Sequence, residues 1–576
     1  MLESNFVRGK GGHRNTLSDL KEELWNLNID EEYQNDTDLT VVQQLSQPVK
    51  LFQDCLHDLF IFKDNNLSAY NQAADLAELI KDNRPKVTNK ALDLVLKLSS
   101  DKATRSGICA NKKLVQNLFE IFYSDRDERI CEIIQNLSKE KNALLAIREL
   151  ITLAELFKLL NSSSEDVILT SLMIIKNLVS LQPVQVKAEI RDFSGYLDIA
   201  GLLSYRQDHL KDKLIHQLSL EILTMLAYEH QPTKLALLKT NLHKDVLTIL
   251  NSSHDERNLC RSSARLIQVL TVSLEHKVAF VEKNAVQILG SHINPEDSDL
   301  TLEILWALRN ISDQGYQLIN IKEVLHKLVK LMNQSENHNI VTCVAGCLCN
   351  FTCQNPQNKT TLIELVPTIL DLVRKSNFKE SLPLLKAVMG LIKNLSNDLD
   401  CLDEIRNLNG GQALGNVLLQ THESQETAEM LGVDFEDMLE LTLTTLQSLS
   451  RDRKIREQLI MHNKLIPISI QSLYHNSIYI QRAAVGLLAE LSTSTRGVTL
   501  IEKEGAIPKL TEMIQMNNEG VATFAANIVH RSANNKPIEY RRRLSNELKQ
   551  SLFDAGILGQ EDIKNADLNK EQSDLG

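Results

Sequence analysis

A six-residue phrase that keeps returning constrains this chain more than any other feature. I-I-Q-N-L-S occupies residues 133–138, I-I-K-N-L-V 174–179, A-L-R-N-I-S 307–312, C-L-C-N-F-T 347–352 and L-I-K-N-L-S 391–396. The asparagines are Asn136, Asn177, Asn310, Asn350 and Asn394, and the gaps 136→177, 310→350 and 350→394 are 41, 40 and 44 residues. Weaker copies fill the interval, L-T-M-L-A-Y (223–228) and I-Q-V-L-T-V (267–272). L-Q-S-L-S (446–450), L-A-E-L-S (488–492) and I-V-H-R-S (528–532) follow. Self-similarity at a period near 42 implies a stacked array in which each unit buries its apolar face on its neighbours.

Composition decides what the units are made of. Of 576 residues only 21 are Gly and 11 Pro, aromatics are 5%, and hydrophobic residues reach 43%. That is too apolar for a disordered chain and too poor in β-formers for an all-β one. Within 505–532, G-A-I-P-K-L-T-E-M-I places Ile507, Leu510 and Ile514 at helical spacing, and a polar N-N-E-G turn leads into a longer apolar helix. Short helix, turn and long helix at this period predict an all-α armadillo-repeat solenoid, a right-handed superhelix of about eleven three-helix repeats, whose third helices line a groove. The recurrent Asn sits on that third helix, where its amide is expected to reach the backbone of an extended peptide.

The flanks read differently. Residues 1–37 are a polar segment, 38–64 a helix preceding the solenoid, 65–535 the solenoid, 536–553 a closing helix and 554–576 a short acidic tail. L-S-D-L-K-E-E-L-W-N-L-N-I (17–29) reads as an amphipathic helix: a solvated one with one sticky face, a partner-binding one, or one with the pattern of a nuclear-export signal. Residues 421–440 interrupt a unit with Glu423, Glu426, Glu429, Asp434, Glu436, Asp437 and Glu440 and no Lys or Arg, which predicts a solvated loop leading into a helix. No run of 18 uncharged apolar residues occurs, so no membrane insertion is expected. Met1–Asn15 has no apolar core of a secretory signal, so the N-x-[ST] triplets at Asn136, Asn310, Asn350 and Asn394 are not expected to carry glycans.

Catalytic chemistry has no foothold in the motifs. No phosphate-binding Gly loop, H-E-x-x-H or G-x-S-x-G occurs, and no enzyme activity, cofactor or metal is expected. The nine cysteines are an odd count at irregular spacing, which suits free thiols. Cys343, Cys347, Cys349 and Cys353 invite a metal or thiol-switch reading, but they stand beside Ala345 and Gly346 where a packed helix wants small residues, and core packing is the expectation. Function is therefore expected from a surface. Although the net charge is −12, the third-helix strip gathers Lys176, Asn177, Lys234, Arg265, Lys277, Arg309, Asn310, Asn350, Lys359, Lys386, Lys393 and Asn394. A basic groove in an acidic protein selects an acidic extended partner. Nucleic acid is not expected, because the strip lacks interleaved aromatics.

Particular segments resemble the β-catenin family. V-T-C-V-A-G-C-L-C-N-F-T-C-Q-N-P-Q-N-K (341–359) is similar to its seventh repeat, L-W-A-L-R-N-I-S-D (305–313) to its sixth and L-P-L-L-K-A-V-M-G-L-I-K-N-L (382–395) to its ninth. Y-I-Q-R-A-A-V-G-L-L-A-E-L (479–491) is similar to the eleventh, and N-E-G-V-A-T-F-A-A (518–526) with Y-R-R-R-L-S-N-E-L-K-Q-S-L-F (540–553) to the last repeat and its closing helix. The resemblance implies a monomeric groove protein whose partners are cadherin cytoplasmic tails, T-cell factors, and the axin and adenomatous polyposis coli scaffolds. It implies that Lys234 and Lys359 grip ligand carboxylates, with Tyr228, Lys277, Trp306 and the strip residues on groove positions and Lys176 standing where the family has a histidine. It implies that 42–62 docks α-catenin through Leu51, Leu56, Leu59 and Phe60, with Phe62 in place of the regulatory tyrosine. It implies a coactivator-helix pocket at Asn65, Asp75, Leu76, Leu79 and Leu98, in which Asn65 replaces an aspartate; the three leucines read equally as core.

Departures from the family set the functional expectation. No D-S-G-x-x-S degron occurs in 1–45, the C-terminal region is reduced to 554–576, and the seventh-repeat match runs into the ninth, so one repeat is expected to be missing between Val366 and Leu382. These losses touch signalling more than adhesion. The expectation is a cytoplasmic adaptor at adherens junctions that holds a cadherin tail and reaches α-catenin. The alternative is a Wnt-pathway coactivator binding T-cell factor in the same groove. An importin-α-like receptor would need an array of W-x-x-x-N pairs, and only Trp306 with Asn310 supplies one.

Overall fold

The structure is a computed structural model. It describes residues 73–554, apart from 75, 125–126, 205–209, 316–317, 319, 376–377, 424–434 and 534–536. Among them eleven long helices recur at the third-helix position: α1 (Pro85–Ser100), α2 (Glu128–Leu137), α3 (Glu165–Leu181), α4 (Leu210–Ala227), α5 (Arg257–Leu270), α6 (Ser298–Ser312), α7 (His338–Thr352), α8 (Phe378–Leu395), α9 (Phe435–Leu449), α10 (Ile478–Leu491) and α11 (Glu519–Ser532). Two compact units divide the chain, one ending at Leu242 with α1–α4 and one beginning at His243 with α5–α11. In the first, α1 packs on α2, α2 on α3 and α3 on α4; in the second, α5 through α11 pack each on the next. This is the all-α armadillo architecture that the 42-residue period predicts.

Local chemistry sets where helices begin and turn. Side chains of Asp127, Asp297, Asn337, Asp452 and Asn518 accept backbone N–H bonds at helix starts, and Thr152 with Glu155 forms a reciprocal capping box. Between the first and second helix of a unit the chain turns through a left-handed residue: Ser194, Asn284 and Asn409 in three units and Gly505 (φ 74°) in a fourth. Glycine takes that conformation without the steric cost of a Cβ, and Asn tolerates it better than most.

Third helices are buried almost all round because neighbours cover both flanks. In α3, Val167, Ile168, Leu172, Ile175 and Val179 are buried, and each such side chain contributes about 1.5–3 kcal/mol. Beyond the helix starts, water reaches mainly a stripe that includes Lys176, Asn177 and Ser180 in α3; Glu303, Trp306, Arg309 and Asn310 in α6; Cys349 and Asn350 in α7; Lys386, Lys393 and Asn394 in α8. The 3–4 spacing of that stripe is the helical repeat itself.

Ile507–Ile514 is the short helix expected ahead of α11, and Ile538–Asp554 stands at the expected closing helix. After α7 come the short helices Pro356–Thr360 and Ile363–Leu365, then Val366–Lys375 and directly α8, which packs on α7 with no unit between. The 421–440 stretch corrects in part: Glu423 ends the helix Gly410–Glu423, and Phe435 onward already belongs to α9. The segments 1–37 and 38–64, the tail from 555, and Leu51, Leu56, Leu59, Phe60, Phe62, Asn65 and Asp75 lie outside the described residues.

Candidate ligand-binding surface

The recurrent asparagines work first within the fold. Asn177 Nδ2 donates to the Ser138 carbonyl and hydroxyl (both 3.1 Å), Asn310 to the Gln268 carbonyl (3.2 Å) and Asn350 to Ser312 Oγ (2.8 Å). Asn394 donates to the Cys349 carbonyl (2.7 Å) and to Thr352 Oγ1 (3.3 Å), and Asn136 to Ser99 Oγ (3.3 Å). Where the preceding phrase carries an Asn, the acceptors lie on the residue before it (Cys349) or on the hydroxyl residue two after it (Ser138, Ser312, Thr352). This corrects the expectation that the amides simply face a ligand backbone. One N–H of each clasps the previous third helix, and the N-x-[ST] triplet recurs because its hydroxyl serves the next unit's amide. Arg531, standing where the last phrase has lost its Asn, does the same work, donating to the Ala489 carbonyl (2.6 Å) and Ser492 Oγ (2.9 Å).

The basic strip is also corrected: much of its charge is already matched. In the first unit Lys176 pairs with Glu221 (2.5 Å) across α3 and α4. In the second, Arg265 pairs with Glu303 (2.5 Å), Lys277 with Asp313 (2.5 Å) and Lys386 with Asp437 (2.7 Å). Asp437 belongs to the acidic stretch expected to be merely solvated. Among the described residues Arg309, Lys359 and Lys393 form no ion pair with a carboxylate. The anion-selective part of the strip therefore lies along α6–α8.

There the geometry is specific. Trp306 is 37% exposed, and the Arg309 guanidinium lies 5.5 Å from its ring centroid, a cation–π contact at i, i+3 spacing. Gly346 on α7 makes room for it, since a Cβ there would stand 2.7 Å from Arg309 Nε. Beside it Cys343 and Cys347 are buried and Cys349 is partly so, and burial pushes the Cys349 thiol up to about 11 and the other two upward as well. Such thiols stay protonated and pack as small apolar groups. Cys353 is exposed at the end of the helix. Among the described residues no group of three or more His, Cys, Asp or Glu is placed to hold a metal ion.

Lys234 and Lys359 occupy matching corners, one in each unit. Each follows a left-handed residue (Glu229, Gln354), an N-cap side chain (His230 accepting from Thr233 N, Asn355 from Asn358 N) and a proline in the first turn. Asn358 Nδ2 fastens its corner to the Phe351 carbonyl of α7 (2.8 Å). Both lysines are far more buried than a ligand-seeking lysine on the surface, at 5% and 9% exposure, and burial holds the Lys234 amine below its usual value. Their stems are packed, so little rotamer freedom remains to be lost on binding. Tyr228, 57% exposed, precedes the first corner. Leu76, Leu79 and Leu98 are buried, at 1%, 2% and 9% exposure, the placement of core residues.

Sequence reasoning missed Glu221, Glu303, Asp313 and Asp437 as strip residues. Their signal was a carboxylate on, or for Asp313 just after, the next third helix. Taken together, stacked third helices with a single polar stripe define an armadillo-repeat binding protein.

No protein-family model matches the chain. Catenin beta of Urechis caupo is 29% identical over 574 residues, covering 89% of this chain and 69% of that protein. Junction plakoglobin of Xenopus laevis is 27% identical over 572 residues, covering 89% and 76%. Among solved structures, one described as a conserved phosphorylation switch controlling the interaction between cadherin and β-catenin superposes with a TM-score of 0.59 at 19% identity, over 80% of this chain and 99% of that one. Over 89% of its length the chain is similar to catenin beta and junction plakoglobin, which supports a divergent relative of the β-catenin family.

Proposed function

We propose that this protein is a non-enzymatic adaptor at adherens junctions, which holds an acidic extended segment, a cadherin cytoplasmic tail, on its third-helix stripes. The observation that carries the reading is the set Arg309, Lys359 and Lys393. These cations sit on or beside consecutive third helices, without a carboxylate partner among the described residues, next to a half-exposed Trp306. A ligand carboxylate meeting a partly desolvated lysine there gains about 1.5–3 kcal/mol, and Trp306 supplies an apolar anchor. Lys234 does the same for the stripe of the first unit. Residues 42–62 carry α-catenin through Leu51, Leu56, Leu59 and Phe60, and Phe62 removes tyrosine phosphorylation as a release signal; this part rests on sequence resemblance.

Calorimetric titration with a cadherin tail and with a T-cell-factor N-terminal peptide tests it. Cadherin binding that weakens at least tenfold in Lys359→Ala and in Lys234→Ala, with α-catenin joining the complex, supports the adaptor. Preference for the T-cell-factor peptide moves the protein to transcription. Binding to neither overturns the reading.

A further inference from the structure

A second cationic surface lies away from the stripes. The helix Lys322–Gln334 buries Val324, Leu325, Leu328, Leu331 and Met332 and turns Lys322, His326 and Lys330 outward at i, i+4 and i+8. Together with the segment 357–364 it walls a cavity of about 1000 Å³. On the opposite wall stand Gln357 and Thr360 of the short helix Pro356–Thr360, with Thr361 and Glu364 just after it. Within that helix Gln357 stands two residues from Lys359, roughly 160° round at 100° per residue, so the cavity wall faces away from the lysine.

Three features single it out. First, unlike Lys176, Arg265, Lys277 and Lys386 of the strip, Lys322, His326 and Lys330 form no ion pair among the described residues. Neighbouring Lys327 by contrast is spent on the Gly290 and Ser291 carbonyls (3.0 and 3.1 Å). Second, the amides of Gln334 and Gln357 offer the donor and acceptor pairs that a peptide backbone needs, and Asn333, whose Oδ1 accepts from Thr368 Oγ1 (2.6 Å), adds its N–H donors. Third, Val329 and Ile363 give a small apolar floor, and Glu364 is the single acid on the lining. The volume is at the upper end of ligand pockets, more than one phosphate group fills and suited to a run of several residues.

We propose that this cavity is a second docking site for an acidic peptide segment of a protein partner, independent of the third-helix stripes. Lys322 and Lys330 bind its carboxylates or phosphates, and the amide walls hold its backbone.

The probe is a fluorescein-labelled decapeptide of alternating Glu and phosphoserine, with a Gln/Ser peptide as control, read by anisotropy on the full chain carrying Lys359→Ala to weaken the stripe. The expected result is saturable binding of the acidic peptide only, lost at least tenfold on adding Lys322→Glu and Lys330→Glu. The charge-reversal pair in the otherwise wild-type chain leaves cadherin-tail binding within twofold and the circular-dichroism melt unchanged, which separates this site from the stripes and from misfolding. Lys322→Gln with Lys330→Gln gives an intermediate loss. Equal binding by parent and reversal variants, or no binding at all, overturns the proposal. So does capture by vesicles containing phosphatidylserine that the reversal abolishes while peptide binding persists, since the surface would then serve a membrane.

Discussion

At the residue scale, the Asn clasp makes the first prediction. Asn350 joins α7 to Ser312 of α6, and its loss leaves a hydroxyl and a helix end without that partner. Asn350→Ala is expected to cost about 1–2 kcal/mol, read as a lower urea midpoint, with faster amide exchange concentrated in α6 and α7. A loss spread evenly over all helices, or none, contradicts the clasp. The buried histidines make a second. His243 Nε2 lies 2.7 Å from His276 Nδ1, edge-on to Phe280 and near Lys283, while His292 stacks on His254 at 4.1 Å and faces Cys260 and Lys327. Burial pushes His243 and His292 each down to about 4. The unfolded chain protonates these two residues first, near pH 6.5, so the stability that neutral His243 and His292 contribute is fully present above 6.5 and is lost as pH falls toward 4. A melting temperature that falls through that window, less so in His292→Phe, is the expected result.

At the element scale, what matters is charge matching between adjacent third helices. Arg265 and Lys386 are committed to Glu303 and Asp437, and an acidic ligand must displace those carboxylates or lie beside them. Glu303→Gln and Asp437→Asn are therefore expected to tighten cadherin-tail binding about three- to tenfold, since like charge opposing a ligand is removed. The stability cost should stay under ~1 kcal/mol, because exposed pairs contribute little. Calorimetry and a denaturant titration on the same variants check both halves. Gly346→Ala acts on the same surface in the opposite sense: its Cβ meets Arg309 Nε at 2.7 Å, displaces the guanidinium from Trp306 and weakens binding.

For the whole molecule, a net charge of −12 faces an acidic ligand. Long-range repulsion slows encounter, and only short-range contacts attract. The association rate constant is expected to rise between 20 and 200 mM salt while the dissociation rate constant rises more, so that affinity still falls; stopped-flow fluorescence separates the two. An association rate that drops steeply with salt would mean that a basic surface steers the ligand from a distance.

The period of the N-L-S phrase, the apolar spacing and the scarcity of Gly and Pro determined the helices, their number and their stacking, because each unit can satisfy its apolar face only on its neighbours. The candidate strip was legible to the extent that position on a third helix determines exposure, as at Trp306, Arg309, Asn350 and Asn394. Which of those groups already has a partner was not legible. The acceptor for Asn310 lies 42 residues back at Gln268, and the carboxylate for Lys386 lies 51 residues on at Asp437. Periodicity tells which residues share a face but not which side chains meet across helices. Tertiary packing decided that the asparagines clasp, that Lys234 and Lys359 are buried, and that Arg309, Lys359 and Lys393 keep charge to offer a ligand while Lys386 does not, because hydrogen bonds and ion pairs depend on distances of a few ångströms between distant parts of the chain.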